Sequence, residues 1–191
     1  MKKYLICVAV FLIALTLTSS SCRQSPQSSS NLYIPNVPIA IEDQKDLFQA
    51  GRFYFGGQPD AAMLGWLKDQ GVEVVINLRT KDEIETHTKE HFDELLKVEE
   101  LGMTYLNFPM GGDVGYSPEV VDTFSRALEL HKGKALIHCA VGVRASYLWV
   151  AYLVRHKNVP LDEAIDIGKK MKFKFFLEDL LGYPLSMRRR E

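Results

Sequence analysis

Apolar residues in this chain fall into short, nearly continuous runs separated by segments of helical periodicity. Four runs have the length and composition of buried β-strands, at 53–55, 72–78, 103–108 and 135–139. Helical spacing and terminal signals predict helices at 61–70, at 89–101, from 118, from 144 or 145, at 161–171 and at 175–181. Alternation of this kind predicts a single α/β domain, with a mainly parallel central sheet and helices on both faces.

The first residues follow a different pattern. Lys2 and Lys3 precede an apolar stretch at 4–17, which as a helix would span about 21 Å, less than the roughly 30 Å of a membrane's hydrocarbon core. The pattern predicts a secretory signal peptide over 1–21. The Ser-, Gln- and Pro-rich segment 22–36 is then expected to be a flexible tether, and 37–191 the folded domain, with its core at 53–171.

Small residues before Cys22 are typical of a lipoprotein cleavage site, with Cys22 acylated. Ser19, however, stands where such sites usually hold an aliphatic residue, and ordinary cleavage near Ser21 is the alternative. Cys7 lies in the segment to be removed, so Cys139 has no obvious partner, which in an exported protein indicates a free reactive thiol. We therefore expect an exported protein, anchored in a membrane through Cys22 and facing the periplasm or the cell exterior.

Charge excludes one class of partner. The formal net charge is −1, and it becomes −3 if Lys2 and Lys3 are removed with the signal peptide. No basic stripe with interleaved aromatic residues is present, and the short run at 188–190 is typical of a solvated tail. Nucleic-acid binding is therefore not expected. The sequence leaves the oligomeric state undetermined.

The segment His138-Cys139-Ala140-Val141-Gly142-Val143-Arg144-Ala145-Ser146 carries the clearest chemistry. It runs from a predicted strand through a glycine-bearing loop into a helix. Backbone N–H groups at a helix N-terminus bind anions and favour thiolate over thiol. Arg144 adds a planar fork of donors that matches a tetrahedral oxyanion. The segment predicts a nucleophilic sulfur at Cys139 facing an anion bound by residues 140–144; a buried structural cysteine beside a surface arginine is the alternative.

This arrangement resembles the dual-specificity-like cysteine phosphatases, and most closely the bacterial beta-lactamase-hydrolase-like phosphatase domain family. The resemblance covers roughly 53–171 and rests on the HC…G…R loop, on Gly57-Gln58-Pro59 and on the stretch from Gly71 to Ile76-Asn77-Leu78-Arg79. It implies a phosphate monoester hydrolase with Cys139 as nucleophile, a phosphocysteine intermediate and Arg144 as phosphate clamp. It also implies a general acid on the loop before the helix that precedes the cysteine strand, and no metal or cofactor.

Two departures from the superfamily pattern keep alternatives open. Four residues separate Cys139 from Arg144, where cysteine phosphatases usually have five. The shorter spacing is common in the bacterial family, but also in rhodanese-like sulfurtransferases. Ala145 stands where many phosphatases carry a hydroxyl for the leaving thiolate, and Ser146 is one position later. A sulfurtransferase and a catalytically weak phosphate-binding module are therefore the alternatives to a phosphatase.

Asp113 is the candidate general acid, because it is the ionisable acid of the glycine-rich loop 109–116. A turn-forming aspartate is the alternative. Glu119 and Asp122 are weaker candidates, since acids are common near a helix N-terminus. The substrate, a phosphorylated protein or small molecule, stays open.

Three further positions have two interpretations each. His138 either tunes the neighbouring thiolate or is a core histidine. His87 and His91, at i and i+4, could be a metal pair, but an exposed helix is favoured because no third ligand is evident. Arg79 either lies at the ligand edge of the sheet or pairs with Asp82 or Glu83.

Overall fold

The computed structural model describes residues 35–112, 115–174 and 177–184, and within them a six-stranded mixed sheet. The sheet has the order β1-β2-β3-β6-β4-β5, with β3, β6, β4 and β5 parallel and β1 and β2 added antiparallel at one edge. The strands are β1 (Ile39–Ala40), β2 (Phe48–Ala50), β3 (Phe53–Gly56), β4 (Val72–Asn77), β5 (Thr104–Asn107) and β6 (Lys134–His138). The predicted single α/β domain with a mainly parallel sheet is confirmed.

Helices cover both faces of the sheet, as predicted. They are α1 (Ala61–Asp69), α2 (Lys81–Glu90), α3 (Glu94–Glu100), α4 (Pro118–Leu130), α5 (Val143–Lys157), α6 (Leu161–Lys169) and α7 (Glu178–Leu181). On one face, α1 and α3 bury Leu64 and Val98 against Leu136 of β6. On the other, α4, α5, α6 and α7 pack with Ile137 of β6 in the larger part of the core.

The four strands predicted from apolar runs are present, but the helix predicted over 89–101 is wrong. Two helices occupy this region, because two separate caps are present. Thr80 and Glu83 form a reciprocal capping box that begins α2 at Lys81, and the Asp93 carboxylate accepts from the Leu96 N–H (3.1 Å) to begin α3. The short strands β1 and β2 were not predicted.

Helix α5 is the central element of the larger layer. Its residues 145–153 are all buried, because the helix lies on the sheet and contacts α4, α6 and α7. It starts at Val143, one or two residues before the predicted start at Arg144 or Ala145. Such complete burial fixes the helix whose first turn carries the candidate anion site.

Several predicted features fall wholly or partly outside the described residues. These are the signal segment 1–21, most of the tether 22–36 with Cys22, the acid Asp113, and the beginning of the helix predicted over 175–181, within which α7 is described. Within the described part of the chain, no helix is both long enough and apolar enough to cross a membrane.

Two helical glycines provide a matched test of this packing. A Cβ at Gly168 of α6 would lie 2.5 Å from Val150 Cγ2 of α5, whereas a Cβ at Gly65 of α1 would meet nothing within 4 Å. We expect Gly168→Ala to lower the free energy of unfolding by about 1–3 kcal/mol through overpacking. Gly65→Ala should raise it by about 0.5–1 kcal/mol, because glycine costs conformational entropy in a helix. Urea unfolding measures both; equal effects of the two changes would contradict the described α5–α6 contact.

Candidate active site

The candidate loop begins at the carboxyl end of β6, which lies between β3 and β4. Gly142 ends the loop as the N-cap of α5, with a φ of +85° that favours glycine. A Cβ at Gly142 would also lie 3.2 Å from the carbonyl group of Gly56, closer than most such contacts. The chain can therefore turn this tightly from strand to helix only with glycine at this position.

Backbone contacts hold the loop against the segment that follows β3. The Cys139 N–H donates to the Gly56 carbonyl (3.4 Å), and the Gln58 N–H donates to the Ala140 carbonyl (3.1 Å). Gly57 and Val141 form an isolated antiparallel bridge at the same place. The Gly-Gln-Pro stretch noted in the sequence thus fixes the first half of the loop.

Cys139 is the free cysteine among the described residues, and it is 1% exposed. Its Sγ accepts a hydrogen bond from the Gly142 N–H, at 3.1 Å. Such a donor, next to the N-terminus of α5, stabilises negative charge on sulfur. The structure therefore places Cys139 where the sequence predicts a nucleophilic sulfur.

Arg144 is held by acceptors from two neighbouring segments. Its Nη2 and Nη1 form a bidentate pair with the Glu83 carboxylate, at 2.6 and 2.7 Å, and Nη1 also donates to the Met110 carbonyl at 2.6 Å. The pair lowers the pKa of Glu83 to about 2, chiefly through the hydrogen bond from Arg144. Because these bonds use Nη1 and one N–H of Nη2, they leave the Nε–H and the other Nη2 N–H for an anion.

The hydroxyl nearest the loop is turned away from sulfur. Ser146 Oγ donates to the carbonyl of Val143 at 2.7 Å, within its own helix. Ala145 is fully buried and offers no hydroxyl. Among the described contacts, the Cys139 sulfur therefore has a backbone amide as its hydrogen-bond donor, and no side-chain hydroxyl.

A cavity of about 710 Å³ opens beside the clamp. Arg144 and Glu83 line it, together with Tyr116 and Gly112 from the two described ends of the glycine-rich loop. Asp113, the predicted acid, lies outside the described residues. Its loop nevertheless begins and ends at the wall of the cavity that contains the clamp.

The two weaker acid candidates do not suit the task. A hydrogen bond from Ser117 lowers the pKa of Glu119, which is exposed. The hydrogen bond from Arg155 (3.0 Å) lowers the pKa of Asp122, which also contacts His156. Neither residue lines the cavity that Arg144 lines, so neither is placed to donate a proton there.

His138 and Arg79 both belong to a buried polar network beneath the loop. His138 is fully buried, and its Nε2 lies 2.8 Å from Oε1 of Glu94. Arg79 donates to the side-chain oxygen of Gln58 (2.6 Å) and to the main-chain carbonyl of Glu83 (2.8 Å), rather than to a carboxylate. Arg79 thus lies at the ligand edge of the sheet as a structural link.

Sequence reasoning missed the roles of Glu83 and Glu94. For Glu83 a signal was available, because Thr80-Lys81-Asp82-Glu83 has the capping-box pattern that begins a helix at this edge. The rings of His87 and His91 lie with their centroids 4.8 Å apart and are tilted by 40° to each other. In the described part of the chain, no group of three or more potential metal ligands is arranged around one point.

The family model of the dual specificity phosphatase catalytic domain matches residues 53–180. Among solved structures, a candidate phosphatase (DUF442) from Shewanella putrefaciens CN-32 is 29% identical, over 63% of this chain and 79% of that chain, with a TM-score of 0.51. A Cys-to-Ser variant of P. aeruginosa TpbA in complex with phosphotyrosine is 17% identical, over 78% and 88%, with a TM-score of 0.56.

A kinase associated phosphatase with its catalytic site cysteine replaced by serine is 16% identical, over 72% of this chain and 90% of that chain, with a TM-score of 0.57. At such identities, this protein and TpbA share the fold with our chain. No curated protein sequence matches it. The family match spans more than half of the chain and includes the loop, its helix and the strands beside it. The chain therefore belongs to the dual specificity phosphatase catalytic-domain family and is a phosphoric monoester hydrolase.

Proposed function

We propose that this hydrolase acts through a phosphocysteine intermediate formed on Cys139. The observation that carries the proposal is the pairing of a sulfur that accepts an amide hydrogen bond with a guanidinium fixed five residues later. A thiolate and a cationic clamp at one strand-to-helix turn are the two groups that in-line attack on a phosphoryl group requires.

In the first step, the Cys139 thiolate attacks phosphorus, so that an S–P bond forms and the P–O bond to the leaving group breaks. Arg144 and the N–H groups of the loop stabilise the charge on the equatorial oxygens. Asp113 gives its proton to the leaving oxygen. The bidentate Glu83 pair supports this role of Arg144, because it fixes the plane of the guanidinium before substrate binds.

In the second step, water attacks the phosphorus of phosphocysteine while the Asp113 carboxylate accepts its proton. The S–P bond breaks, and inorganic phosphate and the Cys139 thiolate are released. The thiolate leaves with the Gly142 N–H as its donor, since Ser146 is bonded elsewhere. We infer that the substrate is a phosphorylated protein or small molecule; the cavity of about 710 Å³ has room for an aryl phosphate.

Cys139→Ser tests the covalent mechanism. We expect it to lower turnover of an aryl phosphate by more than about 10³-fold, because a hydroxyl at neutral pH is a poor nucleophile. The far-UV spectrum and Tm should stay close to those of the wild type, since the change is nearly isosteric. If most of the aryl phosphate hydrolysis remained, Cys139 would not be the nucleophile.

Rhodanese-type sulfur transfer is the second candidate, favoured by the four-residue spacing between Cys139 and Arg144. The same purified protein is therefore assayed with thiosulfate and cyanide. Thiocyanate production without phosphate release would replace the proposed function with this one. Membership in the phosphatase family favours phosphate release.

Asp113→Asn tests the general acid. With a poor leaving group, turnover should fall by about 10²–10⁴-fold, because the leaving oxygen needs a proton. With a very good leaving group the loss in the attack step should be much smaller, and the basic limb of the pH profile should flatten. Asp82→Asn removes a carboxylate that lines the cavity beside Arg144 and should show no such dependence. Equal losses with both substrates would reduce Asp113 to a loop-shaping residue.

We also propose that the protein is exported and anchored through acylated Cys22. The apolar segment 4–17, the small residues before Cys22 and the Ser-rich segment after it support this. Cys22→Ala should move the protein from the membrane fraction to the soluble fraction, because the site of the acyl chains is lost. A mature N-terminus other than Cys22, found by mass spectrometry, would contradict anchoring.

A further inference from the structure

Glu94 is a buried carboxylate for which the proposed mechanism has no use. It is the first residue of α3, and its side chain is 3% exposed. It lies beside His138, and successive side chains of a strand point to opposite faces of a sheet. Glu94 therefore lies across the sheet from Cys139. Burying a carboxylate is costly unless partners compensate, so this position calls for an explanation.

The partners of Glu94 come from the carboxyl ends of three strands. Oε2 accepts from Gln58 Nε2, just after β3, and from Asn77 Nδ2, the last residue of β4, each at 2.9 Å. Oε1 lies 2.8 Å from Nε2 of His138, the last residue of β6. The angle of this contact is not that of a hydrogen bond, and neither atom has another partner among the described residues. One carboxylate thus contacts the ends of β3, β4 and β6 at once.

The same contacts determine the charge of the Glu94 carboxyl. Burial raises the pKa of Glu94, but the electrostatic contact with His138 and the hydrogen bond from Gln58 more than compensate, and the pKa lies below its ordinary value. Glu94 is therefore an ionised carboxylate that accepts hydrogen bonds from Gln58 and Asn77 and contacts His138. Replacing it with a neutral group would leave Nε2 of His138, the residue before the nucleophile, buried without its partner.

The contacts continue to the clamp. Gln58, whose amide donates to Glu94, accepts from Arg79 (2.6 Å), and Arg79 donates to the main-chain carbonyl of Glu83 (2.8 Å). Glu83 in turn holds Arg144. Gln58 also bonds the loop directly through its main chain. Both halves of the anion-binding loop therefore lie on segments that Glu94 or its partners fix.

We propose that Glu94 is a positioning residue that fixes the ends of β3, β4 and β6 relative to one another, and thereby the conformation of the loop from Cys139 to Arg144. For its effect on turnover the proposal rests on the proposed phosphatase function. Its effect on the Cys139 thiol and on anion binding does not depend on turnover.

Glu94→Gln tests the proposal, with Glu99→Gln, an exposed residue of the same helix, as the matched control. The amide keeps the size of the side chain but loses the charge and one acceptor. We expect kcat/KM for an aryl phosphate to fall by about 10- to 100-fold, as is common when a supporting residue is lost and reacting groups shift. Iodoacetamide should alkylate Cys139 at least about threefold more slowly, because the Gly142 donor is less well placed. In Glu94→Gln, the concentration of inorganic phosphate that halves the rate of Cys139 alkylation should rise about tenfold or more.

These readouts separate positioning from stability alone. The proposal would be overturned if Glu94→Gln lowered the Tm but had the same alkylation rate and the same phosphate protection as the control Glu99→Gln. If the wild type itself hydrolyses no phosphate ester, the proposed function fails while the alkylation comparison still decides the role of Glu94.

A second variant covers the case in which Glu94→Gln does not fold. Gln58→Met removes one donor to Glu94 and the acceptor for Arg79 at a half-buried position. It should change alkylation and phosphate protection in the same direction. If Glu94→Gln does not fold, then an alkylation rate and a phosphate protection in Gln58→Met equal to those of the wild type would overturn the proposal. Where both single variants fold, their double variant should lose less than the sum of the two effects, because they break one network.

Discussion

The constraint on which the site depends is the parallel pairing of β6 with β3 on one side and β4 on the other. Parallel strands end at the same edge of a sheet, so the chain leaving β6 meets the chain leaving its two neighbours. Gly56 and Gln58 supply backbone partners for the loop, and Leu78 bonds the last residue of β6. The loop after β6 lies between the segments that follow β3 and β4. The sharp turn at Gly142 and the buried start of α5 follow from this narrow space.

Two glutamates support the loop from different directions. Glu83 meets Arg144 at the cavity wall, where partial exposure tolerates an ion pair. Glu94 lies under the strand ends, where its burial requires several partners. The first fixes the direction of a guanidinium, and the second contacts the strands from which the loop departs. The candidate anion site therefore has two anionic side chains, Glu83 and Glu94, around it. Each glutamate accepts hydrogen bonds from its own donors. The remaining N–H groups of the loop and of Arg144 stay available for the substrate.

Much of the architecture was predictable because its signals are local. The strands β4 and β6 are mostly apolar runs, and the strand, glycine loop and helix around Cys139 lie within a few residues of each other. The pair Arg144–Glu83 joins residues 61 apart, and Gln58–Glu94 joins residues 36 apart. No local pattern encodes such pairs, and a glutamate in a charged helix is usually a surface residue. The start of α2 was predictable from the Thr80 box, whereas the role of Asp113 stays a prediction.

The long-range origin of the site has a consequence for how the protein matures. The groups around the loop come from β3, β4, α2, α3 and β6, so they assemble only after several long chain closures, each of which costs entropy before its contacts form. A partly folded chain therefore carries Cys139 as an ordinary thiol, without its amide donor or its clamped arginine. The reactivity that the folded site gives this thiol should appear only when the last long-range strand pairing of the sheet forms. The rate of chemical labelling of Cys139 would then measure complete folding.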